Sequence, residues 1–173
     1  MSFRIGCTAV VLFLAVVRSA GAQAHTGQPP SQHVTLELIG GVLGGCDRSG
    51  LDFTRTLPDG GSAGIFRIPA GQILVVTDVD WQYVHPQGSL GADKIETLRL
   101  FIENLADRSI SRRAFESTVV LSKAGEGGTS EKMTSGFIVS ALARVCPDVV
   151  PGPQGPPSGL QHLIVRGYLT TDF

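Results

Sequence analysis

Residues 64–85 read GIFRIPAGQILVVTDVDWQYVH, and the interpretation of this stretch decides the fold. From Ile73 the odd positions are Ile73, Val75, Thr77, Val79, Trp81 and Tyr83. The even positions are Leu74, Val76, Asp78, Asp80, Gln82 and Val84. Successive side chains of a strand point to opposite faces, so the two sets are two faces of one long strand. The odd face is apolar and aromatic, which predicts that it meets the core along its whole length. The even face begins apolar and turns polar at Asp78. A helix would need apolar residues at three- and four-residue spacing, and the dense β-branching opposes one. Ahead of the strand, Pro69-Ala70-Gly71 has the chemistry of a tight turn, with Pro presetting φ and Gly able to take a positive one. Phe66 and Ile68 alternate before that turn. The pattern predicts a hairpin that pairs this segment with the long, central strand.

Outward from this pair, further alternating stretches are separated by turn residues. Val34–Leu38 and Leu51–Leu57 precede it, the latter closed by Pro58-Asp59-Gly60-Gly61. Ile95–Asn104 follows, with Leu98, Leu100 and Ile102 on one face, although a helix over 92–104 also fits the spacing. Ile110–Leu121 comes next, with Phe115, Ser117, Val119 and Leu121 toward the core. Ala124–Ser130 reads as a flexible loop and Met133–Cys146 as one strand. Leu160–Thr170 closes the chain, with Leu163, Val165 and Leu169 on one face. The Gly-rich 39–50 and the Pro/Gly-rich 147–159 read as loops. The collagen-like triplets at 152–157 are too few for a triple helix. About eight short strands with turns between them predict an all-β, antiparallel, jelly-roll-like sandwich with first and last strands side by side. An immunoglobulin-like sandwich suits the chain less, because Cys46 and Cys146 flank Trp81 too widely.

With 173 residues, 22 Gly, 10 Pro and 17% charged residues, the chain suits one domain of short strands. A net charge of −1 without a basic stripe leaves no electrostatic footprint for nucleic acid. The N-terminus reads as an export signal. Arg4 precedes the apolar run Ile5–Val17, and Ala22-Gln23-Ala24 matches a small-residue cleavage site. The expected organisation is a signal peptide over 1–24, a polar lead-in over 25–33 and one sandwich domain over 34–173. Cleavage removes Arg4 and Arg18, taking the net charge from −1 to −3. No later segment is long and apolar enough to span a bilayer.

Cys7 leaves with the signal. Cys46 and Cys146 remain, and an even pair in an oxidising compartment predicts a disulfide. It would close a loop of about 100 residues, for which chain entropy supplies roughly 4–5 kcal/mol.

Candidate chemistry is sparse. Asp78 and Asp80 share a strand face and could hold Ca²⁺ or act as acid and base, against a plain reading as a solvated face. His85 and His162 could meet with Glu96 or Glu103 in a cupin-like metal site, against a reading as hydrogen-bonding histidines. Trp81 and Tyr83 could stack on a sugar, against core packing. No P-loop or C-x-x-C motif is present, and Ser62-Ala63-Gly64 reads as turn or strand residues. The expectation is a secreted or periplasmic protein without catalytic activity or cofactor. It would bind a protein or carbohydrate partner or serve as an accessory of the envelope. A cupin-like jelly roll using Asp78, Asp80, His85, Glu103 and His162, and a carbohydrate-binding module, are the alternatives.

Overall fold

The long strand forms as its alternation predicts, over Gln72–Val84 (β4). It has neighbours on both sides and lies within the larger of two sheets. The computed structural model describes residues 32–39, 53–110, 113–150 and 159–172. The signal peptide, most of the lead-in, Cys46 and the collagen-like triplets lie outside these residues. The other strands are β1 (His33–Ile39), β2 (Thr54–Thr56), β3 (Ser62–Ile65), β5 (Ile95–Asn104), β6 (Phe115–Val120), β7 (Glu126–Ser140), β8 (Ala143–Val150) and β9 (Gly159–Thr171). A short 3-10 turn, Gly88–Gly91, lies between β4 and β5, and the strands among the described residues pair antiparallel. No helix among the described residues is long and apolar enough to cross a membrane.

The sheets are ordered β3-β2-β1-β9-β4-β7 and β6-β5-β8. Their inner faces meet in one core, with Leu36, Val76, Trp81 and Leu163 on one side and Leu98, Leu100, Phe115 and Val149 on the other. First and last strands pair along the full length of β1, from His33 opposite Tyr168 to Ile39 opposite His162. The helical alternative for 92–104 is replaced by β5, because Leu98 and Leu100 at period two are both fully buried between neighbouring strands.

Four sequence expectations are corrected. The hairpin across Pro69–Gly71 does not form. The turn itself does, with Gly71 at φ 74° and the Gln72 amide donating to the Pro69 carbonyl at 3.1 Å. The strand before it pairs with β2 instead, and β4 pairs with β7 and β9. The single strand expected over Met133–Cys146 is two strands, broken by a turn at Ala141-Leu142. Five residues of the expected flexible loop, Glu126–Ser130, belong to β7, held by pairing to Val84, Tyr83, Gln82, Trp81 and Asp80.

The fourth correction concerns β4 itself. The odd face does not meet the core throughout. Leu74 and Val76 face the core in the first half, and Val79, Trp81 and Tyr83 face it in the second. Between them the register shifts. Val76 pairs with Gly167 and Asp78 with Arg166, leaving Thr77 as the extra residue of a β-bulge. One inserted residue exchanges the two faces of a strand, because the side-chain period is two. Ile73 and Val75 are thereby buried outside the main core, flanked by Thr170 and Tyr168 on β9 and Ser140 and Ile138 on β7. The backbones come close at this bulge. A Cβ on Gly167 would overlap the Val75 carbonyl oxygen, and one on Gly136, at φ +66°, would overlap that of Val76.

This geometry gives a direct stability prediction. Gly167→Ala is expected to cost about 1–3 kcal/mol or more, as overpacking does. Ser62→Ala, on the exposed β3, is expected to stay within about 0.5 kcal/mol of the parent. Urea midpoints of the two variants check this, and equal midpoints would contradict the close packing at the bulge.

Candidate functional site

The candidate residues separate into four places. On the outer face of the large sheet, Asp80 lies between His162 and Arg166. Its Oδ1 is 3.5 Å from His162 Nε2 and its Oδ2 3.7 Å from Arg166 Nη2. Asp78, beside the bulge, lies 3.2 Å from Thr77 Oγ1 and opposite Lys132 and Arg166 in register. These side chains are half-exposed, where an ion pair is worth at most about 1 kcal/mol. They form an ionic patch over a shallow depression that also includes Gln82, Glu126 and Ser130.

Trp81 and Tyr83 are in the core, 1% and 0% exposed, so neither offers a sugar-stacking face. Trp81 instead ties the sheets together. Its Nε1–H donates to Ser117 Oγ on β6 at 3.0 Å, and that hydroxyl donates in turn to Glu131 on β7. A buried indole N–H needs such a partner, and Ser117 is the residue of β6 that meets it.

His85 is buried just after β4, at the end of the sandwich where β5 begins. Its Nδ1 accepts the Gln87 amide hydrogen at 3.2 Å, and Lys94 Nζ lies 3.2 Å from its Nε2. His162, on the outer face of β9, belongs to the Asp80 patch instead. Glu103 lies near the other end of β5, its side chain 2% exposed, paired to Arg108 at 2.9 Å and to Arg144. The grouping of Asp78, Asp80, His85, Glu103 and His162 into one centre is therefore not formed. Among the described residues no three His, Cys, Asp or Glu side chains gather where they could hold a metal ion. Cys146 is buried on β8, while its expected disulfide partner Cys46 lies outside the described residues.

Glu96, near the His85 end, is 2% exposed, and its Oε2 has no hydrogen-bond partner among the described residues. Burial pushes its carboxyl up to about 7, partly countered by the Lys94 charge. Tyr83 is pushed up to about 12, first by burial and then by the charge of Glu96.

Sequence reasoning missed a concave, mostly apolar feature. At the end of the sandwich where β4 begins and β7 turns into β8, a cavity of about 120 Å³ opens between the sheets. Its walls include Leu36, Phe53, Phe66, Leu74, Val139 and Val145, and its polar side chains are Arg67 and Arg144. Phe66 and Ile68, expected in a hairpin, instead follow β3 as an extended segment along this cavity. No local pattern could have shown it, because its walls come from segments separated by up to a hundred residues. No family model and no curated protein matches the chain.

The Glu96 carboxyl generates a pH prediction. Its ordinary value is 4.5 and its folded value about 7, so the folded chain holds a proton that the unfolded chain releases. Stability therefore falls as pH rises from 4.5 to 7, and the loss is complete above 7. At about 1.4 kcal/mol per unit, the loss is at most roughly 3 kcal/mol. Glu96→Gln is expected to flatten this slope and to exceed the parent in stability at pH ~8. Denaturant titrations across that range check it, and parallel profiles would show that Glu96 is not the group responsible.

Proposed function

We propose that this chain is an exported, jelly-roll β-sandwich that acts by binding and not by catalysis, in the periplasm or outside the cell. The leader-like Arg4, Ile5–Val17 and Ala22-Gln23-Ala24 support export. The order β1-β9-β4-β7 opposite β8-β5-β6 supports the jelly-roll reading, with the short β2–β3 hairpin extending the large sheet at β1. The buried Cys146 supports a structural Cys46–Cys146 disulfide in the oxidising compartment.

The observation that carries the binding reading is the cavity between the sheets. Concave, preformed, mostly apolar sites with a few polar groups are the usual form of a ligand site. At about 120 Å³ it is smaller than the pockets that hold drug-sized molecules, so its occupant is small. Two candidate carboxylates elsewhere are accounted for by pairing. Glu103 is held by two arginines, and Asp80 lies between His162 and Arg166.

Two measurements test the reading. The protein recovered from the periplasm or medium is expected to begin at His25, and its mass to rise by two hydrogens on reduction. An uncleaved chain retained in the cytoplasm would overturn export. Toluene, used as an uncharged probe, is expected to shift the methyl resonances of Leu36, Leu74, Val139 and Val145. Unchanged resonances would overturn the cavity as a binding site.

A further inference from the structure

We infer that the inter-sheet cavity takes a small apolar acid, a single ring or short branched chain ending in a carboxylate. This rests on the binding reading above and names the chemical class of its ligand. Size comes first. A dry cavity of about 150 Å³ lined by aliphatic and aromatic side chains holds a benzene ring. This one, at about 120 Å³ and with Phe53, Phe66, Leu74 and Val139 in its walls, has room for a group of that order and no more.

Polarity comes second. The polar side chains of the wall are Arg67 and Arg144, and guanidinium groups donate hydrogen bonds but accept none. Toward these two side chains the polar end of an occupant is an acceptor, although Arg67 also donates to the Phe66 carbonyl and Arg144 to Glu103. A planar carboxylate matches the guanidinium fork in shape and charge, whereas an ammonium would face two like charges.

Orientation comes third. Arg144 is held through its Nε by the buried Glu103, which Arg108 holds from its other oxygen at 2.9 Å. The wall cation is thus fixed in place before any ligand arrives, which limits the ordering cost of binding. Arg67 is exposed and the Arg144 side chain is 20% exposed, so a carboxylate beside them keeps contact with water. An apolar body inside and a charged head at the rim avoid the cost of burying an unsolvated anion.

The test compares benzoate, toluene and benzylamine on the mature, oxidised chain by calorimetry and thermal unfolding. A ligand that binds only the folded state raises its midpoint. Benzoate is expected to bind at least tenfold more tightly than benzylamine and more tightly than toluene. Arg67→Gln is expected to weaken benzoate severalfold and leave toluene unchanged. Ala143→Val, which fills the cavity, is expected to abolish both. If that variant does not fold, Val145→Ala is used, and its enlarged cavity is expected to admit naphthoate, which the parent excludes. Toluene binding as well as or better than benzoate would overturn the acid class and leave the cavity as a site. Tightest binding of benzylamine would do the same. If none of the three binds, both the ligand class and the binding reading fail.

Discussion

The register shift at Thr77 is the constraint on which the large sheet depends. β4 pairs with two partners, so its faces must suit the core on one side and the outer sheet surface on the other along 13 residues. One extra residue moves the core-facing set from Leu74 and Val76 to Val79, Trp81 and Tyr83. Without it, either Thr77 and Ile73 would face the core in place of Val76 and Leu74, or Asp78 and Asp80 would be turned inward. Burying those carboxylates without partners would cost several kcal/mol each. The shift requires neighbouring backbones to approach closely, and Gly136 on β7 and Gly167 on β9 provide that approach on opposite sides of β4. Three strands distant in sequence thus share one local deformation.

The buried polar groups differ between the two ends of the sandwich. At the β8 end, Glu103 is nearly inaccessible yet has a cation on each oxygen. At the other end, Glu96 is equally buried but has an oxygen without a hydrogen-bond partner among the described residues, and the Lys94 charge partly opposes the cost of its own. A buried carboxylate without such partners holds its proton to near-neutral pH. Between the two ends, the chain Trp81–Ser117–Glu131 satisfies the polar atoms that cross the core and aligns the sheets. The end with the satisfied ion cluster is also the end with the cavity, where Arg144 belongs to both. The proposed ligand site is therefore built on the rigid end of the molecule.

Much of the fold was legible in local patterning. β1, β5 and β9 stand where alternation put them, and Leu98, Leu100, Leu163 and Val165 are buried as their period of two requires. Pairing of the first and last strands was also anticipated. The candidate site was less legible. Asp80 and His162 do come together, but at a half-exposed surface, while Trp81, His85 and Glu103 went to the core, a loop and an ion cluster. The cavity had no sequence signal at all.

What the sequence determined by itself depends on neighbouring residues: the positions of β1, β5 and β9, the turn at Gly71 and the alternation of polarity along these strands. Tertiary structure decided the properties that depend on which strands meet. It placed β3 on β2 and not on β4, exchanged the faces of β4 at Thr77, and divided Met133–Cys146 between two sheets. It also set the different surroundings of Glu96 and Glu103 and enclosed the space beside Arg144. The physical reason is that alternation is set by backbone geometry within a strand, which two adjacent residues already express. Register, desolvation and enclosed volume arise only when segments far apart in the chain are packed against one another.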